Sequence, residues 1–284
     1  MPLLAAIVTG QLVLAPMVLN GALNAIQTQG PKRLDIAYEA IVPVPVLGRL
    51  KAATASISAD LSPTSYVIRS RAEAAGFVDW FVDYNLFITA TGSVGPQGLR
   101  PARYVSSNKD GKKNRQVTVD FTSADVTTNA VPRFGDLGHP PASLQQRLEA
   151  MDPLSAIVDL ALGTQATASN PCGGPIRAFD GKQRFDLVLT YAGRLNYESS
   201  AYTGPAIKCE LTYVELAGFK DKDDKQKAKD QGDIMWSNMI LAELDGATVR
   251  PPIKIEARSK KRGKMTVQAT RVSYGPAPVH APAK

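Results

Sequence analysis

The segment Asp152-Pro153-Leu154-Ser155-Ala156-Ile157-Val158-Asp159-Leu160-Ala161-Leu162-Gly163 decides the fold. Asp152 suits an N-cap, Pro153 the first helical position and Gly163 a left-handed stop, so the spacing predicts a helix of about three turns. Its body is apolar nearly all round, and only Ser155 and Asp159 form a polar line. Such a helix must be enclosed on most sides.

The rest of the chain supplies the enclosure. Apolar and polar residues alternate at period two over residues 53–60, 66–73 and 116–121; in the last, Val117, Val119 and Phe121 face one way and Gln116, Thr118 and Asp120 the other. The rhythm returns in Phe185, Leu187, Leu189 and Tyr191, in Ile207, Cys209, Leu211 and Tyr213, in Ile253 and Ile255, and in Met265, Val267 and Ala269. Turn signals stand at Ser62-Pro63, Gly95-Pro96, Asp110-Gly111, Asp180-Gly181, Gly204-Pro205 and Asp245-Gly246. The expected fold is therefore mainly β: a curved antiparallel sheet, an open barrel or spiral, wrapped around one largely apolar helix.

Residues 3–19 are mostly Leu, Ala, Val, Ile and Met, and a small-residue stretch follows to Ala25, which reads as a secretory signal peptide over residues 1–25, the alternative being an uncleaved membrane anchor. The expected organisation is that leader, one β-rich domain over residues 34–274 and a disordered tail over residues 275–284. The expected location is periplasmic, with a mature chain that does not span the membrane. In an exported chain the even pair Cys172 and Cys209 reads as one disulfide, the alternative being two unrelated buried thiols.

Of 284 residues only two are His and two Cys, which excludes a structural zinc site of the common Cys/His kind and leaves little for His-based catalysis. His139 stands in a Gly/Pro-rich loop with no nucleophile motif, residues 174–182 lack the Walker spacing, and no dinucleotide fingerprint occurs. Asp79 and Asp83 lie on one helical face, whereas glycosidase carboxylates flank a bond from opposite sides. The expectation is a non-enzymatic protein with no catalytic residues, no cofactor and no metal.

Two features suggest contacts. In Phe77-Val78-Asp79-Trp80-Phe81-Val82-Asp83-Tyr84 the residues Phe77, Trp80, Phe81 and Tyr84 share a helical face, either as a lip over an apolar cavity or as a plug at one end of the sheet. The formal charge is +7, yet from Arg250 onward nine Lys or Arg stand against one acid. Arg258, Lys260, Lys261, Arg262 and Lys264 lie between two strands, where they could meet an anionic partner or serve as a charged turn that discourages edge pairing. Nucleic acid is not an expected partner of an exported chain. The run of Lys and Asp over residues 220–230 reads as a solvated loop.

At Tyr38-Glu39, Gly76-Phe77-Val78-Asp79, Gly98-Leu99-Arg100-Pro101-Ala102-Arg103-Tyr104, Met151-Asp152-Pro153-Leu154-Ser155, Cys172, Phe179-Asp180-Gly181-Lys182 and Cys209, the chain resembles the Gram-negative envelope family catalogued as domain of unknown function 3108. The resemblance covers residues 34–274, with its pieces in family order. It implies a periplasmic, β-rich protein similar to lipoprotein carriers, and it brings no catalytic residues. A carrier for a lipid or acyl ligand is the first functional expectation, with Phe77, Trp80, Phe81, Leu154, Ile157 and Val158 as lining or lip. The alternative is a structural adaptor that contacts another envelope protein.

Overall fold

The computed structural model describes residues 21–44, 46–76, 84–110, 113–220, 234–259 and 263–278. A short helix, α1 (Gly21–Gln29), leads into a seven-strand meander: β1 (Lys32–Val44), β2 (Gly48–Leu61), β3 (Ser65–Ala74), β4 (Tyr84–Gly95), β5 (Gly98–Asp110), β6 (Lys113–Phe121) and β7 (Val126–Val131). Two helices follow, α2 (Leu144–Leu148) and α3 (Pro153–Ala161). Six strands complete the chain: β8 (Ile176–Phe179), β9 (Arg184–Glu198), β10 (Thr203–Ala217), β11 (Ile234–Ala242), β12 (Pro252–Ser259) and β13 (Gly263–Pro276).

Every strand pair is antiparallel, and β13 pairs with β1, so the two meanders merge into one sheet of order β7-β6-β5-β4-β3-β2-β1-β13-β12-β11-β10-β9-β8. Register shifts at Ala37/Tyr38, Ala40/Ile41 and Ile207/Cys209 are bulges of the kind that bend a sheet. The sheet does not close, because β7 and β8, at its two ends, do not pair with each other. Other contacts seal that seam. The backbone of Met151 exchanges hydrogen bonds with β8, Met151 N–H donating to Arg177 O (3.0 Å) and Phe179 N–H to Met151 O (2.8 Å). Arg184 donates through Nε to Gln146 O at 3.0 Å, and Arg147 reaches back to the carbonyl of Val126 on β7.

The expected helix stands where the sequence puts it. Asp152 caps it, Pro153 occupies the first turn, and Gly163 takes φ +64° just past its end. It runs inside the sheet. Leu154, Val158, Ala161 and Leu162 join a core with Leu34, Tyr66, Ala90 and Val119, while Ala156 and Leu160 join a second with Cys172, Ile207, Cys209 and Met239. Ile157 packs against both. Burying a Leu, Val or Ile side chain stabilises by roughly 1.5–3 kcal/mol, so the helix is held by its surroundings and not by helix propensity.

The polar line of the helix is also buried. Ser155 and Asp159 are 0% and 4% exposed and face β3 to β5. Ser155 Oγ lies 2.8 Å from the Tyr66 hydroxyl on β3, and Asp159 accepts from Leu99 N–H at 2.8 Å and from Thr164 Oγ1 at 2.5 Å. Gly98, at φ +123°, lets that strand approach, since a methyl there would collide with the Asp159 carboxylate.

One expectation needs adjustment. Gly204-Pro205 is no turn: it opens β10 opposite Tyr197 and Asn196, and the turn falls at residues 199–202. Pairing with β11 begins only at Ala206, so the missing Pro205 N–H costs no ladder bond on that side. Helix α1 overlaps the last five residues of the stretch read as a leader, and its Ala22, Leu23 and Ile26 are almost wholly buried in the main core. Residues 1–20 and 279–284 lie outside the described residues.

Candidate binding site

Because the strands alternate in direction, their connections gather at two ends. At one end lie residues 62–64, 96–97, 122–125 and 245–249, together with α1, whose Gln27 donates to Pro63 O. That end is covered. The β1–β2, β3–β4, β5–β6 and β12–β13 connections fall at the other end, as do the 132–142 loop and the β8–β9 turn. Two clefts open there.

The first, of about 470 Å3, lies on the concave face of β4 to β6. Tyr84, Leu86, Tyr104 and Val117 form its apolar wall, and Ser106, Asn108, Arg115 and Asp180 add polar groups. The pairings Leu86↔Asn108 and Ser106↔Val117 put these side chains on one face by the period-two rule. Asn108 Oδ1 is buried without a partner, so a donor on a bound ligand could satisfy it. Burial pushes the Tyr104 hydroxyl well above its usual range, so it stays a neutral donor and acceptor.

The second cleft, of about 430 Å3, lies over the seam. Its apolar surface is Ala130, Phe134, Leu137 and Phe179, and its cations are Arg133, Arg147 and Lys182. The clefts are neighbours. Pro132 borders the first and Arg133 and Phe134 the second; Asp180 borders the first and Gly181 and Lys182 the second. Gly181, at φ +98°, presses against Val117, Val119 and Thr128, where a side chain would not fit. Asp180 is turned to its own backbone and accepts from Lys182 N–H (2.9 Å) and Gln183 N–H (2.7 Å). Burial raises its pKa against those two bonds.

Three of the expected lining residues are placed by the structure. Leu154 and Val158 are 5% and 1% exposed and belong to the core, Ile157 is half-buried against it, and none of the three borders either of these clefts. Phe77, Trp80 and Phe81 lie outside the described residues, as do Asp79 and Asp83. The Cys172–Cys209 disulfide is formed, with Cα atoms 6.1 Å apart, and it ties the loop after α3 to β10.

The basic cluster falls at the β12–β13 hairpin, where Ser259 pairs with Gly263. Lys260, Lys261 and Arg262 lie outside the described residues, and Arg258 is exposed. Lys264 is 2.7 Å from Glu256, which Lys254 also meets at 2.9 Å. Burial of Glu256 would raise its pKa, but the hydrogen bonds from Lys264 and Lys254 prevail and hold it low. Lys264 is thus already neutralised within the sheet.

Sequence reasoning missed Arg133, Arg147 and Lys182 as a group. Ser143 and Gln146 form a capping box at the start of α2, and that spacing was the available signal for the element that positions Arg147. Among the described residues no cluster suited to a metal ion occurs, and no helix is long and apolar enough to cross a membrane.

An open antiparallel β-barrel-like sheet threaded by a helix, with paired clefts at one rim, is the class that fold and site define. The chain belongs to the family described as protein of unknown function (DUF3108), whose model matches residues 36–270. No curated protein matches it. Among solved structures it is similar to a β-barrel-like protein of domain of unknown function DUF1849 from Brucella abortus, at 8% identity and a TM-score of 0.41, covering 86% of this chain and 97% of that one.

Proposed function

We propose that the protein is a non-enzymatic binding or carrier protein of the bacterial envelope that takes a hydrophobic, acyl-type ligand. The observation that carries this reading is the cleft of about 470 Å3 on the concave face, open at the rim and walled by Tyr84, Leu86, Tyr104 and Val117. Clefts of a few hundred Å3 with an apolar wall and a few polar groups are the usual form of small-ligand sites. The Cys172–Cys209 disulfide supports the envelope part of this reading, because such bonds persist in oxidising compartments such as the periplasm. Binding of a fluorescent undecanoic acid tests the reading: saturable binding abolished by Leu86→Asp with unchanged circular dichroism supports it, and binding indifferent to that substitution refutes it.

A second reading, an adaptor that contacts another envelope protein, is favoured by the β1–β2 tip, where Val46 is fully exposed and Leu47 65% exposed. Val46 also holds φ +69°, an unusual conformation for a β-branched residue. Capture of one defined envelope partner that is lost on replacing Val46 and Leu47 with Ser would favour the adaptor.

A further inference from the structure

The second cleft carries an inference beyond the acyl reading, resting on different side chains. Arg133, Arg147 and Lys182 all border it, and no acidic residue does among the described residues. Three cations facing one concavity repel one another unless an anion sits between them, and an unoccupied arrangement of this kind adds nothing to stability.

Two buried polar atoms on residues of the same wall lack partners. Arg147 spends one guanidinium nitrogen on the carbonyl of Val126, while its Nε is buried without an acceptor. Thr128 Oγ1 is likewise buried and unpaired. A buried guanidinium N–H without an acceptor is costly and a hydroxyl without one less so, so the wall of the cleft holds unspent donors. Phe134 helps order Lys182, whose ammonium lies 6.0 Å from its ring centre, and it also carries the Arg115 guanidinium of the first cleft at 4.8 Å. Two carboxylates, Asp180 and Asp136, feel the charge of Lys182, but neither borders the cleft and each has its own hydrogen bonds. Asp180 holds its own turn, and Asp136 accepts from Gly138 N–H and lies 3.7 Å from His139.

We infer that this cleft is a site for a phosphate-bearing group, held by Arg133, Arg147 and Lys182 with Thr128 as an additional hydroxyl donor. Three positive charges match a phosphate better than a monovalent carboxylate, and guanidinium groups carry donors in the planar geometry that phosphate oxygens accept. The apolar surface of Leu137 and Phe179 beside them, and the acyl cleft across the 132–134 segment, make a lipid headgroup one source of that phosphate; a free phosphate is the other.

Isothermal titration of the full chain at low salt tests this with three probes: inorganic phosphate, dioctanoyl phosphatidate and dioctanoylglycerol. Arg133→Gln and Lys182→Gln are the chosen variants because both residues lie at the surface of the fold, whereas Arg147 holds the β7 edge and its loss could unfold the seam. Phosphate binding that weakens about tenfold or more in the double variant, and is unchanged in Arg258→Gln, supports the site. Tighter binding of the phosphatidate than of phosphate, with the same dependence on the variants, assigns the lipid source; equal binding assigns the free anion. Failure of both phosphate-bearing probes to bind, or binding indifferent to the double variant, overturns it. Dioctanoylglycerol binding alone would overturn the phosphate site while leaving the acyl cleft standing.

Discussion

The contact that fixes the central helix inside the sheet is the pair Tyr66–Ser155, and a double-mutant cycle on it gives a sharp prediction. The two oxygens are 2.8 Å apart, Tyr66 is 1% exposed and Ser155 0% exposed, so neither hydroxyl can turn to water. Ser155→Ala strands the phenol in the core and should cost about 2 kcal/mol, within the range for a buried unsatisfied group. Tyr66→Phe should cost less, about 1 kcal/mol, because a helical serine can turn its hydroxyl to a carbonyl of the preceding turn. In the double variant the phenol is no longer stranded, so the loss should fall near that of Ser155→Ala alone, a coupling of about 1 kcal/mol. Urea denaturation of the four proteins, with a common m-value, measures this. Losses that add to within about 0.3 kcal/mol would mean that the hydroxyls do not meet and that the helix is seated otherwise.

Three further outcomes follow from the same core. Burial raises the carboxyl of Asp152 to about 6 against the hydrogen bonds from Ser155 and Leu154, and burial also raises Asp159 and Asp180. A buried acid with a raised pKa is cheapest when protonated, so stability should grow as pH falls through about 6 toward 4, by about 3 kcal/mol for Asp152 alone. The urea midpoint should be higher at pH 5 than at pH 7.5, and Asp152→Asn should remove much of the difference; a lower midpoint at pH 5 would contradict this. Replacing both cysteines with Ala opens a 37-residue loop and should cost about 4 kcal/mol on the chain-entropy estimate, read as a lower thermal midpoint under non-reducing conditions. Leu23, 1% exposed, should cost about 2–5 kcal/mol when cut to Ala, and any leader cleavage in the mature protein should fall before Gly21; a mature N-terminus beyond Ala25 would mean that α1 is dispensable.

Much of the architecture was legible because two periodicities met. The caps at Asp152 and Gly163 delimited a helix too apolar for any surface, and strands such as β2, β6 and β10 carried the alternation of a half-wet sheet. The direction of the Ser155 and Asp159 line was not legible, since pattern alone does not separate a solvated stripe from a hydrogen-bonded one. Gly98 decided it by letting Leu99 N–H reach Asp159. Helix α1 was masked by the leader-like run before it, and α2 is five residues long with no buried residue and hence no apolar rhythm. The clefts were least legible of all. Leu86 and Val117, or Arg133, Arg147 and Lys182, come together only through sheet register and the seam, so their sequence separations carry no signal.

Methyl nuclear magnetic resonance during titration with dodecyl phosphate reads the clefts and the helix core together. Saturable shifts are expected at Leu86 and Val117 in one cleft and at Ala130 and Leu137 in the other, with Leu154 and Val158 of the enclosed helix almost unmoved. Shifts centred on Leu154 and Val158, with the cleft methyls unchanged, would contradict binding in the clefts.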